Sequence, residues 1–197
     1  MPQRLVVGIS GSSGAIYGIR LLEVLRARAE VETHLVISAP GKKTIAYETD
    51  YSVKDVEALG HVVYDNRDVG ATLASGSFRT AGMVIVPCSM KTVSALATSY
   101  TDTLLARAGD VTLKEGRPLI VVVRESPLHL GHLRQLTALA EIGGIVMPPM
   151  PAFYQRPQTV ADIVDHTVAR ILDRLGIAHA LAPEWTGLRR GEDREPA

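Results

Sequence analysis

Residues 5–25, LVVGISGSSGAIYGIRLLEVL, decide the fold class. Leu5–Ile9 is a short run of Leu, Val and Ile, the composition of a strand buried inside a sheet. A Gly/Ser turn follows, and then Ala15, Ile16, Ile19, Leu22 and Leu25 recur at helical spacing. Working outward, the same strand–turn–helix alternation recurs. Leu35–Ile37 reads as a second strand, with a short helix over Lys42–Glu48. Tyr51–Thr80 is less regular, with a short Val53–Leu59 helix and a weak Val62–Tyr64 strand. Met83–Val86 is a clear strand, followed by helices over Thr92–Thr98 and Asp102–Lys114. Pro118–Val123 is the most apolar strand, Leu130–Glu141 the next helix and Ile145–Met147 a last short strand. Thr159 with Asp162 resembles a capping box. The helix it opens has Val160, Ile163, Val164, Val168, Ile171, Leu172 and Leu175 on one face, and Gly176 stops it. Strands alternating with helices predict an α/β protein built from parallel βαβ units.

Composition narrows the function. The chain has 197 residues, with 21 Lys+Arg against 21 Asp+Glu, so its formal net charge is zero. That balance argues against a general nucleic-acid binder, which would show a basic stripe or a high pI. No run of about 18 apolar residues is present, so no membrane span is expected. The first residues enter a strand pattern without the apolar core and small-residue site of a signal peptide. The single cysteine, Cys88, excludes an internal disulfide framework and a cysteine-based zinc site. The expectation is a cytoplasmic enzyme with one domain over residues 1–186 and a charged, frayed tail over 187–197. The prolines at 148, 149, 151 and 157 read as a rigid loop, too short for a linker.

Ligands of open parallel sheets bind outside the carboxyl ends of the strands. That rule selects Ser10–Ser13, Ser38, Cys88–Ser89 and Arg124–Glu125, so four strand ends each deliver polar groups to one rim. The first turn, Gly8-Ile-Ser-Gly11-Ser-Ser-Gly14, opens directly into a helix, where glycines admit a close ligand and free N–H groups favour phosphate. It is neither the dinucleotide G-x-G-x-x-G nor a Walker loop. A tight, serine-capped βα turn explains the turn equally well. The second turn, Cys88-Ser89-Met90-Lys91-Thr92, leaves the same choice between phosphate cradle and cap. Two such turns together favour a mononucleotide.

Glu125 ends an apolar strand, where a dry carboxylate could have a raised pKa and exchange protons; a plain Arg124–Glu125 surface pair is the alternative. Arg107 and Lys114, seven residues apart, share a helix face, and Asp110 between them offers an ordinary intrahelical ion pair. Tyr154 lies in the stiff aromatic loop after the prolines. Arg170 stands beside the apolar stripe of the last helix, where its partner is either a ligand phosphate or Asp173. The six histidines show no metal spacing. His129 and His132, at i and i+3, are only a weak lead.

These residues also carry a family resemblance. GISGSSGAIYG at 8–18, ETD at 48–50, SGSFRTAGMVIVPCSMKTVSALA at 75–97, LARAGDVTLKEGRPLIVVVRE at 105–125 and PPMPAFYQRPQTVADIVDHTVARILDRLG at 148–176 resemble the flavin prenyltransferases. These are the UbiX-like partners of UbiD-type decarboxylases. SGSFRT and PPMPAFY are most similar to the branch of phenolic-acid decarboxylase B subunits. The resemblance spans residues 5 to about 185. It implies a three-layer Rossmann- or flavodoxin-like fold with a mainly parallel sheet, assembled as a homododecamer of trimers with active sites shared between subunits. It further implies metal-independent transfer of a dimethylallyl group from dimethylallyl monophosphate to N5 and C6 of reduced FMN, for use by a UbiD-type decarboxylase. Carried over by position, Gly11, Ser12, Ser13, Ser38, Ser89, Met90, Lys91, Thr92 and Arg124 would hold FMN, Ser13 beside the flavin N5. Glu48, Arg107, Lys114, Tyr154 and Arg170 would hold the dimethylallyl phosphate, the last four at its phosphate group, several reaching in from neighbouring subunits. Glu125 would be the acid–base group, and Trp185 would steady an allylic cation. His132-Leu-Arg-Gln135 departs from the family's His-Leu-Glu-Asn and removes a carboxylate. The competing readings are an FMN-dependent cysteine decarboxylase, a non-catalytic flavin carrier and direct phenolic-acid decarboxylation. A carrier needs no phosphate-leaving residues, and a cysteine decarboxylase is expected to carry an Asn- and Met-rich loop where PPMPAFYQRP stands.

Overall fold

Both faces of the central strands are dry, which is why their sequences lack polar–apolar alternation. The computed structural model describes residues 2–183 and Gly187. Among these, the strands are β1 (Gln3–Ile9), β2 (Val31–Ile37), β3 (Val62–Tyr64), β4 (Gly82–Cys88), β5 (Leu119–Val123) and β6 (Gly144–Val146). The helices are α1 (Ala15–Arg26), α2 (Ala39–Glu48), α3 (Val53–Leu59), α4 (Met90–Ala97), α5 (Leu104–Lys114), α6 (Leu130–Glu141) and α7 (Val160–Leu175). Short 3-10 turns occupy Thr72–Ala74 and Phe153–Gln155. The strands form one parallel sheet in the order β3-β2-β1-β4-β5-β6. This is the doubly wound order of dinucleotide-binding folds, and without the short edge strand β3 it becomes the flavodoxin order.

Residue parity separates two cores. Val7, Ile9, Leu35, Ile37, Val84, Val86, Ile120 and Val122 face α1 and α7, with Ile45 of α2 and Val56 of α3 beside them. Val6, Val36, Met83, Ile85, Leu119, Val121 and Val123 face α4 and α5, with Leu139 of α6. The α7 stripe lands on α1 through Val164, Val168, Ile171 and Leu172, and complete burial of such a side chain is worth about 1.5–3 kcal/mol. Arg20 of α1 adds a two-pronged contact to Asp165 of α7, at 2.6 and 3.3 Å. The capping box at Thr159 and Asp162 is present, and Gly176 ends the helix at φ 68°.

The largest departure from the sequence expectation is β2, which begins four residues early, at Val31. Glu32, Thr33 and His34 hide the strand by being polar. His34 is only 3% exposed, bonded through Nδ1 to the Tyr64 hydroxyl at 2.9 Å and through Nε2 to Glu32 at 2.8 Å. Neither 3-10 turn was expected, and α4 starts two residues sooner, at Met90, because Ser89 already sits at its N-cap. Among the described residues no helix is long and apolar enough to cross a membrane.

Candidate functional site

At the carboxyl edge, β1 and β4 are neighbours whose chains leave to opposite faces, one into α1 and the other into α4. This is the switch point at which open parallel sheets hold ligands. Ser10 ties the two strand ends together. Its buried hydroxyl donates to the Pro87 carbonyl at 3.1 Å and accepts from the Ser89 N–H at 2.7 Å. That clasp sets the Gly11–Gly14 turn beside the Ser89–Thr92 turn.

In the first turn, a β-carbon on Gly11 would overlap the Pro40 ring and stand 3.2 Å from its backbone. Ser12 Oγ is buried with no hydrogen-bond partner among the described residues, and Ser13 is exposed. Glu48 closes the N-terminus of α1, accepting from Gly14 N at 2.8 Å and Ala15 N at 3.4 Å. Ser38 caps α2 by accepting from Gly41 N at 3.0 Å. In the second turn Ser89 stands at the N-cap of α4 but gives it no side-chain cap; its hydroxyl lies 3.2 Å from that of Thr92 instead. Met90 and Thr92 are buried, and Lys91 pairs with Asp102 at 3.5 Å. Gly11 makes room for Pro40, while the unmatched buried hydroxyl and the helix start without a side-chain cap are features that a phosphate-bearing ligand such as FMN can satisfy.

Beside this crevice, Arg124 N–H donates to the Cys88 carbonyl at 3.2 Å, while the Arg124 side chain is exposed. Glu125 accepts from Ser126 N at 3.1 Å. The dry setting expected for Glu125 is not found within one chain. Residues 124–131 are all exposed, because the segment leaves the sheet edge and no other described part of the chain covers it.

The four phosphate candidates fall into two pairs. Arg107 and Lys114 lie on α5, and Arg170 lies on α7, across the sheet. Tyr154 and Arg170 line one groove of 550 Å³ with His166, Asp173 and His179. The Tyr154 hydroxyl is 3.4 Å from His166 Nε2, and burial and the neighbouring Arg170 push the His166 pKa down. The ordinary local ion pairs are present: Arg107 to Asp110 at 3.0 Å and Arg170 to Asp173 at 2.7 Å, with His179 on the other Asp173 oxygen at 2.9 Å. Lys114 pairs with Glu115, whose carboxyl it holds below its ordinary value. Trp185 lies outside the described residues. Burial pushes the Cys88 thiol pKa up, so it belongs to the core rather than to nucleophilic chemistry. Ser10 was legible as a rim residue, but nothing local marked it as the clasp. His166 carried no signal, since its partner is set by the fold of the proline loop.

The fold and the crevice define a mononucleotide-binding α/β protein, and the profile of the Flavoprotein family matches residues 1–172. A flavin prenyltransferase UbiX of Escherichia coli K12 is 56% identical over 187 residues, covering 94% of this chain and 99% of the relative. A dodecameric FMN-dependent UbiX-like decarboxylase from Escherichia coli O157:H7 superposes with a TM-score of 0.92 at 50% identity, covering 94% of this chain and all of that one. The AnUbiX (PadA1) structure, solved in complex with FMN and dimethylallyl pyrophosphate, gives 0.93 at 42% identity over 95% of this chain and 100% of its own. The chain belongs to the UbiX-like flavin prenyltransferase family.

Proposed function

We propose that this chain transfers a dimethylallyl group from dimethylallyl monophosphate to reduced FMN, giving prenylated FMN for a UbiD-type decarboxylase in the cytoplasm. The observation that carries the reading is the crevice at the β1–β4 switch point, where Ser12 Oγ has no partner among the described residues and α4 has no side-chain cap. Gly11, Ser12, Ser13 and Ser38 would hold FMN from the α1 side. Ser89, Met90, Lys91, Thr92 and Arg124 would hold it from the α4 side. When bound, reduced FMN supplies the nucleophilic ring atoms, N5 and C6, that accept the five-carbon group.

The chain's own part is to release the phosphate. When the ester C–O bond breaks, its electron pair stays on the phosphate, and Arg107, Lys114, Tyr154 and Arg170 offset the charge. Such preorganised groups are usually the largest contribution to catalysis. Glu125 would give a proton to the departing phosphate and take one back during ring closure. Glu48, which caps α1 at Gly14, keeps a carboxylate at the entrance of the first turn. Trp185 would add cation–π stabilisation of about 0.5–2 kcal/mol to an allylic cation.

Arg107 and Lys114 stand on the opposite face of the sheet from Arg170, so one phosphate gripped by all of them calls for neighbouring copies. A homododecamer of trimers meets that demand. The exposed side chains of Leu128, Leu130, Leu133 and Ile142 support such packing. Anaerobic incubation of the protein with reduced FMN and dimethylallyl monophosphate, read by mass spectrometry, should give a flavin heavier by one prenyl unit. Unchanged FMN from folded, flavin-bound protein refutes the reading, and carbon dioxide release from a peptidyl cysteine in its place would support the decarboxylase alternative.

A further inference from the structure

The stretch Ser75–Phe78, singled out by its sequence, is not used by the FMN crevice, yet it is pinned firmly. Arg117 donates to the Gly76 carbonyl at 2.7 Å and to the Phe78 carbonyl at 3.0 Å, and Arg107 Nε donates to the Ala74 carbonyl at 3.2 Å. Phe78 is held from the other side, with its ring under the Arg4 guanidinium and edge-on to His34. The segment thus lies as a fixed ledge along the C-terminal end of α5.

Against this ledge stands the Lys114–Glu115 ion pair. A β-carbon on Gly76 would overlap Glu115 Oε1, stand 2.6 Å from Glu115 Cδ and 2.9 Å from Lys114 Nζ. Gly76 does not have a positive φ, so its lack of a side chain serves space rather than backbone conformation. The atoms it would meet are the ends of two flexible side chains, so a methyl group there moves the charges and spares the backbone.

Resting on the prenyl-transfer reading above, we infer that Gly76, clamped by Arg117, is a positioning residue that sets where the Lys114 ammonium stands for the substrate phosphate. Displacing a binding charge by even a fraction of its reach weakens the grip on the ester, while every residue of the flavin crevice is left unchanged.

The test is steady-state prenyl transfer by the assembled protein with dimethylallyl monophosphate, alongside FMN titration and thermal melting. Gly76→Ala should raise KM for the ester about 10-fold, with FMN affinity and melting temperature unchanged. In a Glu115→Ala background only the Lys114 end of the crowding remains, 2.9 Å from the added carbon, so the further effect of Gly76→Ala should shrink. Arg117→Lys should keep the ledge better than Arg117→Gln and give the smaller rise in KM. An unchanged KM in Gly76→Ala, a parallel loss of FMN binding, or an undiminished effect in the Glu115→Ala background overturns the inference while wild-type transfer stands. Absence of transfer by the wild type overturns the prenyl-transfer reading and this inference with it.

Discussion

Ser10→Ala should loosen the crevice at its root. The substitution removes the bond from Oγ to Pro87 and leaves the Ser89 N–H without its acceptor. The Pro87 carbonyl keeps the Ser10 N–H at 3.1 Å, so that side loses only one of two bonds. The lost donor bond is worth about 0.5–1.5 kcal/mol, and a stranded, partly buried N–H costs about 1–3 kcal/mol. The expected total is about 1.5–4.5 kcal/mol, at about 2–4 °C per kcal/mol for a chain of this size. Urea melts at one fixed protein concentration measure it, since assembly makes stability depend on concentration. Because Ser89 begins α4, FMN affinity should also fall about tenfold, or 1.4 kcal/mol, in a fluorescence titration. A stability loss below about 0.5 kcal/mol together with unaltered FMN binding would show that the clasp does not hold the two turns.

Glu125→Gln should retain FMN and slow ring formation by about 100-fold in single-turnover absorbance traces; full speed removes Glu125 from the mechanism. Burial lowers the folded-state pKa of His34, opposed by Glu32 and helped by Arg4 and His61. The unfolded chain therefore binds the proton more readily, so stability should fall as pH drops below about 6.5. In His34→Gln the slope of stability against pH between about 5 and 6.5 should flatten, and an identical slope would remove His34 as its source. The buried thiol of Cys88 should resist iodoacetamide in the native protein and react on unfolding; rapid native labelling contradicts its place in the core.

The strands with unbroken Leu, Ile and Val runs were legible because burial on two faces leaves no room for polar residues, as in Leu119–Val123. Val31–His34 was not, since its polar side chains are satisfied by partners far along the chain, such as Tyr64 for His34. The two Gly/Ser turns could be located from sequence but not interpreted, because a capped turn and a phosphate cradle use the same residues. The difference is a matter of which hydroxyls already have partners: Ser38 serves Gly41 N, while Ser12 Oγ has none among the described residues.

Sequence alone determined the βαβ alternation, the rim of polar residues at the strand ends and the membership of a flavin-modifying family, because each is written in local periodicity or in residue-by-residue likeness. Tertiary structure decided that Arg107 and Lys114 occupy one face of the sheet and Arg170 the other, and that Ser10 joins β1 to β4. The physical reason is parity: which way the chain turns at the end of each strand fixes the face on which the next helix lies, and spacing along the sequence does not encode that turn.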